Sequence, residues 1–145
     1  MHPGAGNPAG TLVNALLHYR EEQKNLPRAG IVHRLDKGTS GIMVIAKTQL
    51  AQQSFTQQLQ DRSMHKEYEA IIEGVLTGGF DVDAPIGRHP KNRIKMRTTD
   101  FGREAISHVS LIKFYNGYSH IAVEIETGRT HQIRVHLSHH RLPII

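Results

Sequence analysis

The first candidate for chemistry is Asp36, in the run His33-Arg34-Leu35-Asp36-Lys37-Gly38-Thr39-Ser40-Gly41. An extended backbone there puts Arg34 and Asp36 on one face and Leu35 on the other. A carboxylate at the end of a strand, beside a glycine-containing turn, can hold its oxygens toward a ligand. The same residue can equally cap a turn among solvated charges. A second constellation is Thr127-Gly128-Arg129-Thr130-His131-Gln132-Ile133-Arg134-Val135-His136. On a helix beginning near Thr130, His131 and Arg134 share a face at i,i+3, as do Thr130 and Arg134 at i,i+4. A buried arginine needs an acidic partner, and Asp36 is a candidate. Such a pair keeps the carboxylate ionised, as a nucleophile or base requires. The alternative is an amphipathic helix with Ile133 inward and its charges in water.

Two further groups bear on binding. Tyr68, in Lys66-Glu67-Tyr68-Glu69-Ala70, points to the same side as Ala70 and Ile72, which suits core packing. At a pocket edge the ring would instead stack on a base. Arg93, Lys95 and Arg97 alternate with Ile94 and Met96, so the three cations share one strand face. That face is either a ridge that tracks phosphates or an edge protected from aggregation by charge. Among the histidines, His136, His139 and His140 are the material for a metal site. Zinc recruits histidine together with cysteine or carboxylate, and no acid follows Glu126, so no metal is expected. Gly4, Gly6 and Gly10 follow no strand and form no phosphate-binding fingerprint.

Composition narrows the setting. The chain has 145 residues, a length that fits one domain. It has no cysteine, which excludes disulfides, thiolate zinc sites and a cysteine nucleophile. No run approaches the about 20 apolar residues of a membrane span, and the start lacks signal-peptide character. A cytoplasmic protein is expected. Lysine and arginine number 18 against 13 acids, a net charge of +5. A basic excess fits a polyanionic partner, because surface cations displace counterions from phosphates. The excess is also uneven: Arg88, Lys91, Arg93, Lys95 and Arg97 lie close together, with no acid between Asp83 and Asp100.

The elements that must position these residues follow from periodicity. Residues 2–10 read as a loop, and Thr11 then caps a helix carrying Leu12, Val13, Leu16 and Leu17. Pro27 ends that region. Gly30 to His33 and Gly41 to Ala46 read as two strands joined by a polar turn from Asp36 to Ser40. A second helix, about 49–62, puts Ala51, Phe55 and Leu59 on one face. Met64 to Glu73 alternates as a strand, and further strands are expected at about 80–87, 92–99, 104–115 and 118–127. Thr130 caps a last short helix to about 139. The links Asn116-Gly117 and Gly78-Gly79 favour hairpins. The expected fold class is α+β, a largely antiparallel mixed sheet with flanking helices.

Taken together, these segments resemble the RluA family of pseudouridine synthases, whose signature is an HRLD block followed by TSG. His33 to Gly41 matches that signature, and Gly128 to His136 looks like the family's later motif. Lys66-Glu67-Tyr68 stands where the family places its active-site tyrosine. The opening His2 to Pro8, with Thr11 to Leu17, looks most like the RluD branch, which modifies large-subunit ribosomal RNA. The resemblance covers nearly the whole chain.

It implies a pseudouridine synthase fold, Asp36 as the catalytic aspartate, Arg134 as its salt-bridge partner and Tyr68 as the ring against the target uracil. Arg34 matches the arginine that helps fill the space left by the flipped nucleotide, and Ile133 an apolar wall of the pocket. His33 and Thr39 join them as substrate-side candidates, and Arg93, Lys95 and Arg97 as RNA contacts. One carboxylate suffices for this isomerisation, by attack at C1′ or C6 or by taking the C2′ proton, whereas a glycosidase uses two. Flipping the base costs on the order of a few kcal/mol, which basic and stacking groups around the acid must offset. No cofactor is implied. The expected partner is RNA, large-subunit ribosomal RNA or its precursor, bound by a monomer with no membrane association.

Family members usually begin with further strands ahead of the position of Met1 and continue past Leu142-Pro143 into more sheet. Many RluD-type proteins also carry an amino-terminal S4 RNA-binding domain. Residues 1–145 are therefore expected to be part of a catalytic domain without an S4 domain. The competing expectation is a catalytically silent RNA-binding fragment.

Overall fold

The helical spacing of Leu12, Val13, Leu16 and Leu17 produces α1 (Leu12–Tyr19). Asn14 secures its start, its side-chain oxygen accepting from the Thr11 amide at 3.0 Å and the Thr11 hydroxyl at 2.7 Å. The computed structural model describes Met1, residues 7–92 and residues 94–145. The chain divides into two compact units, Met1–Met64 and His65–Ile145. Among the described residues no helix is long and apolar enough to cross a membrane.

In the first unit two 3-10 turns, Glu21–Asn25 and Pro27–Gly30, follow α1, and α2 (Gln49–Gln60) closes the unit. Thr48 caps α2, its hydroxyl accepting from the Ala51 amide at 3.1 Å. The two strands expected at Gly30 to His33 and Gly41 to Ala46 do not form as such. They reduce to one isolated antiparallel bridge, Ile31 with Ile45. The cause is local. The Ala46 amide reaches the Gly30 carbonyl at 2.9 Å, but the next donor along, Val44 N–H, is taken by the His33 side chain at 2.9 Å. An imidazole has replaced the backbone acceptor, and the ladder stops.

The second unit is the sheet. Its strands are β1 (Glu67–Glu73), β2 (Phe80–Asp83), β3 (Ile86–Arg88), β4 (Met96–Thr98), β5 (Ile106–Tyr115) and β6 (Tyr118–Ile125), and α3 (Gln132–His139) follows. Four strands form an antiparallel sheet in the order β1-β6-β5-β2, and β3 pairs with β4 separately. The α+β class and the antiparallel sheet are as the alternation predicts. One strand expected over 80–87 is instead β2 and β3, split at Pro85, which has no N–H to donate to a ladder. The expected strand 92–99 shortens to β4, because the Lys95 amide closes a turn onto the Asn92 carbonyl at 2.9 Å. Asn116-Gly117 makes the hairpin between β5 and β6, with Gly117 at φ +78°. Gly78-Gly79 makes none, since β1 and β2 are opposite edges of the sheet. Gly79 serves close packing: a Cβ there would sit 2.8 Å from the Val109 carbonyl oxygen.

One face of the sheet buries Ile72, Val109, Ile121 and Val123 against Leu137 of α3. The helix starts at Gln132, not at a Thr130 cap, because His131 turns left-handed at φ +56°. That turn delivers Gln132 into a buried hydrogen-bond chain. The Thr127 hydroxyl donates to Gln132 Oε1 at 2.7 Å, and Gln132 Nε2 donates to Ser107 Oγ at 3.0 Å. Ser107 Oγ lies 2.9 Å from His136 Nδ1, and His136 Nε2 lies 3.0 Å from the Ala84 carbonyl. A carbonyl only accepts, so Nε2 carries the proton and Nδ1 accepts from the serine.

Burial pushes His136 below its ordinary value of 6.5, against the opposing pull of the Ala84 carbonyl. The folded state therefore keeps a neutral ring while the unfolded chain takes up a proton below about pH 6.5. This contribution is whole above that pH and is lost as acid protonates the unfolded chain. His108 acts in the opposite sense, raised by Asp81 at 2.8 Å and Glu126 at 2.9 Å. Its contribution is whole below the unfolded value and fades as pH rises through the folded one. Its side chain is 39% exposed, so solvent weakens the effect.

Two outcomes follow from the buried chain. Gln132→Leu should cost about 1–3 kcal/mol in urea unfolding, because it orphans buried partners; a loss below about 0.5 kcal/mol would contradict the chain's structural weight. His136→Gln should flatten the fall of melting temperature between about pH 6.5 and 5. An unaltered slope would mean that the ring titrates as it does in the unfolded chain.

Candidate active site

Asp36 opens a tight turn in the first unit. Its carbonyl accepts the Thr39 amide at 3.1 Å, and Gly38, the third residue, sits at φ +82° where side chains are disfavoured. Asp36 and Thr39 are half-buried and Arg34 is exposed. Together with Met1, Leu35 and Lys37 they line an open depression of about 540 Å³. Two cations thus border the depression with the carboxylate, a rim that suits an anionic ligand. His33 acts from behind. Its ring holds Val44, and so fixes the two segments from which the turn projects.

Those segments are themselves held by Gln23, buried beneath them, which donates to the carbonyls of Ala29 at 2.9 Å and Ala46 at 3.1 Å. Gly30 lies in the same crowded contact. A Cβ there would come within 2.1 Å of the Ala46 oxygen, and its φ is +83°.

The remaining candidates belong to the second unit. Tyr68 lies on β1 opposite Val123, half-buried on the side of Ala70 and Ile72 as its alternation predicts. Ile133 on α3 packs against the same core cluster. The structure therefore gathers the ring and the apolar side chain around one core, with Arg134 exposed on the adjoining helix position. Arg97 is exposed on β4, and Thr98 Oγ1 meets His139 Nδ1 at 3.2 Å, which ties that strand to α3. Lys95 lies in the turn before β4, off the strand face expected for it, and Arg93 lies outside the described residues.

Gln23 and Ser107 escape the sequence reading, and Thr127 and Gln132 stand in the second motif with no role assigned to them. No spacing marks them, since the Ser107 partners are 25 and 29 residues away. Both ring nitrogens of His136 are engaged, by Ser107 and by the Ala84 carbonyl.

Residues 8–139 match the family model described as RNA pseudouridylate synthase. The chain is 52% identical over 145 residues to the ribosomal large subunit pseudouridine synthase D of Pseudomonas aeruginosa, covering all of this chain and 45% of that one. Identity is 50% to the protein of that name from Xanthomonas campestris and 48% to that of Escherichia coli K12, each match covering all of this chain and 44% of the relative. The chain thus spans less than half the length of these relatives. Among solved structures, human RNA pseudouridylate synthase domain containing 1 superposes with a TM-score of 0.73 at 24% identity, over 79% of this chain and 52% of that one. The human domain containing 4 gives 0.66 at 27%, over 79% and 48%. At such identity the first of these is a likeness of fold.

Two glycines of the first unit separate crowding from backbone strain. Gly38 has open space around it, so Gly38→Ala should cost only the left-handed penalty, about 1–2 kcal/mol. Gly30→Ala carries the same penalty plus the clash and should cost clearly more in urea unfolding followed by circular dichroism. Equal losses would show that the Gly30–Ala46 contact does not support the Asp36 turn.

Proposed function

Because the chain belongs to the RNA pseudouridylate synthase family, we propose that it isomerises uridine to pseudouridine in RNA, with large-subunit ribosomal RNA as substrate. The observation that carries this is Asp36, presented on a braced turn at a basic-rimmed depression within residues 8–139, the span that matches that family. In the reaction the N1–C1′ bond breaks, the uracil rotates and a C5–C1′ bond forms. The C5 proton leaves and N1 regains one, so the balance is neutral. One carboxylate serves each open route, by attack at C1′ or C6 or by removing the C2′ proton.

Asp36 is proposed as that carboxylate. By the match of their motifs, Tyr68 is the ring against the uracil, Ile133 an apolar wall and Arg134 the guanidinium that keeps the acid ionised. Arg34 supports the gap left by the flipped base, and Thr39 and His33 hold the loop it enters past. Arg93, Lys95 and Arg97 are proposed as phosphate contacts that set position without reading sequence. The enzyme would act as a monomer in the cytoplasm, where ribosomal RNA and its precursors are found.

RNA labelled with tritium at uridine C5 tests the assignment. The wild-type chain should release label, and Asp36→Asn should reduce release at least about a thousandfold while leaving RNA affinity within about threefold, since only the transition state uses the acid. Release by the variant at the wild-type rate would remove Asp36 from the chemistry. Binding by the wild type without any release would favour the silent RNA-binding reading.

A further inference from the structure

A second cavity, wholly within the sheet unit, has no place in the chemistry above. It measures about 440 Å³ and is lined by Arg88, Met96, Phe101, Gly102, Arg103 and Arg129 among others. That volume is in the range of single small-ligand sites, about 300–1,000 Å³. Three arginines line it from separate stretches of chain. Arg88 ends β3, Arg103 bridges to Ile86, and Arg129 precedes α3. Arg129 is oriented by its Nε, which donates to the Glu104 carbonyl at 2.7 Å.

Phe101 is the unusual member. It is 100% exposed, forfeiting the burial that a phenyl ring ordinarily gains. Nor is it on a loose tip. The Gly102 amide donates to Thr99 O at 2.8 Å, and the Thr99 amide donates to Pro85 O at 2.8 Å. Ile86 and Arg103 exchange both backbone hydrogen bonds, at 2.8 and 2.9 Å. Gly102 is pressed against that strand so closely that a Cβ would lie 2.6 Å from the Ile86 carbonyl carbon. A turn pinned on both sides holds a bare aromatic ring beside three arginines. An exposed ring next to cations is the arrangement that takes an unpaired base on the ring and its phosphate on the guanidinium groups.

We propose that this cavity is a second RNA contact, which holds one unpaired nucleotide with its base on Phe101 and its phosphate among Arg103, Arg88 and Arg129. The proposal rests on RNA being the substrate and adds a single-stranded element to it. Stacking requires an unpaired base, so the contact selects RNA with a flexible or looped nucleotide. Charge favours this occupant over an apolar peptide, because three arginines line the cavity beside the ring.

Fluorescence anisotropy with labelled oligouridylate, and with an abasic ribose-phosphate oligomer of equal length, separates the parts. Phe101→Ala should weaken oligouridylate binding roughly 5- to 150-fold and leave the abasic oligomer unaffected, whereas Phe101→Trp should retain affinity. Arg103→Gln should weaken both ligands and lower the salt slope by about 0.7, one single-strand phosphate contact. The Phe101 ring is fully exposed, so an unchanged melting curve checks that the fold survives. Equal oligouridylate affinities for wild type and Phe101→Ala overturn the proposal and leave a protein surface as the ring's partner. If Asp36-dependent label release persists in that case, only this second site falls. If the wild-type chain binds neither RNA nor oligouridylate, the RNA substrate falls with it.

Discussion

A buried polar group left without a hydrogen bond is costly, and the chain from Thr127 through Gln132, Ser107 and His136 to Ala84 links its members to one another. Each orphaned member would cost about 1–3 kcal/mol, so the set orders as a unit. Its members come from the end of β2, the start of β5, the turn after β6 and α3. Satisfying them fixes the axial position of α3 on the sheet to within a hydrogen-bond length. The apolar contact of Leu137 alone would not do this, because burial is non-directional. Ile133 and Arg134 inherit their positions from that lock.

The first unit solves the same problem with less regular structure. Its two extended segments share a single bridge, too little to hold a turn steady by backbone pairing. Gln23 and His33 supply the missing bonds from side chains, on either side of Gly30. Replacing ladder bonds by side-chain bonds frees the backbone to leave the sheet geometry early. Asp36 is thereby carried at the start of a turn, half-buried, with cations beside it.

Charge is distributed to match. The sheet's outward face pairs histidines with acids, as His108 does with Asp81 and Glu126 and His120 with Glu69 at 2.7 Å. The arginines instead gather around the β3–β4 region and the turn before α3. A surface that neutralises itself on one side and concentrates cations on another favours one face for a polyanion.

Local pattern carried far in this chain. The helix of Leu12 to Leu17, the alternation that turns Tyr68 toward Ala70 and Ile72, the hairpin at Asn116-Gly117 and the antiparallel α+β class all depend on neighbours within a few residues, and all were legible. So was the HRLD block, because its chemistry is written in consecutive residues. The misread elements failed at particular groups: Pro85 removed a donor within its own strand, the His33 side chain took a backbone acceptor's place, and Gly79 closed on Val109 instead of turning a hairpin. Whether an amide finds a carbonyl or a side chain depends on which residues, tens of positions away, are brought within 3 Å. The sequence by itself therefore determined the family, the helices, the β1, β5 and β6 strands and the candidate carboxylate. Only the tertiary structure decided the buried chain that seats α3, the bracing of the Asp36 turn and the exposure of Phe101, because hydrogen-bond closure and burial are properties of contacts and not of order along the chain.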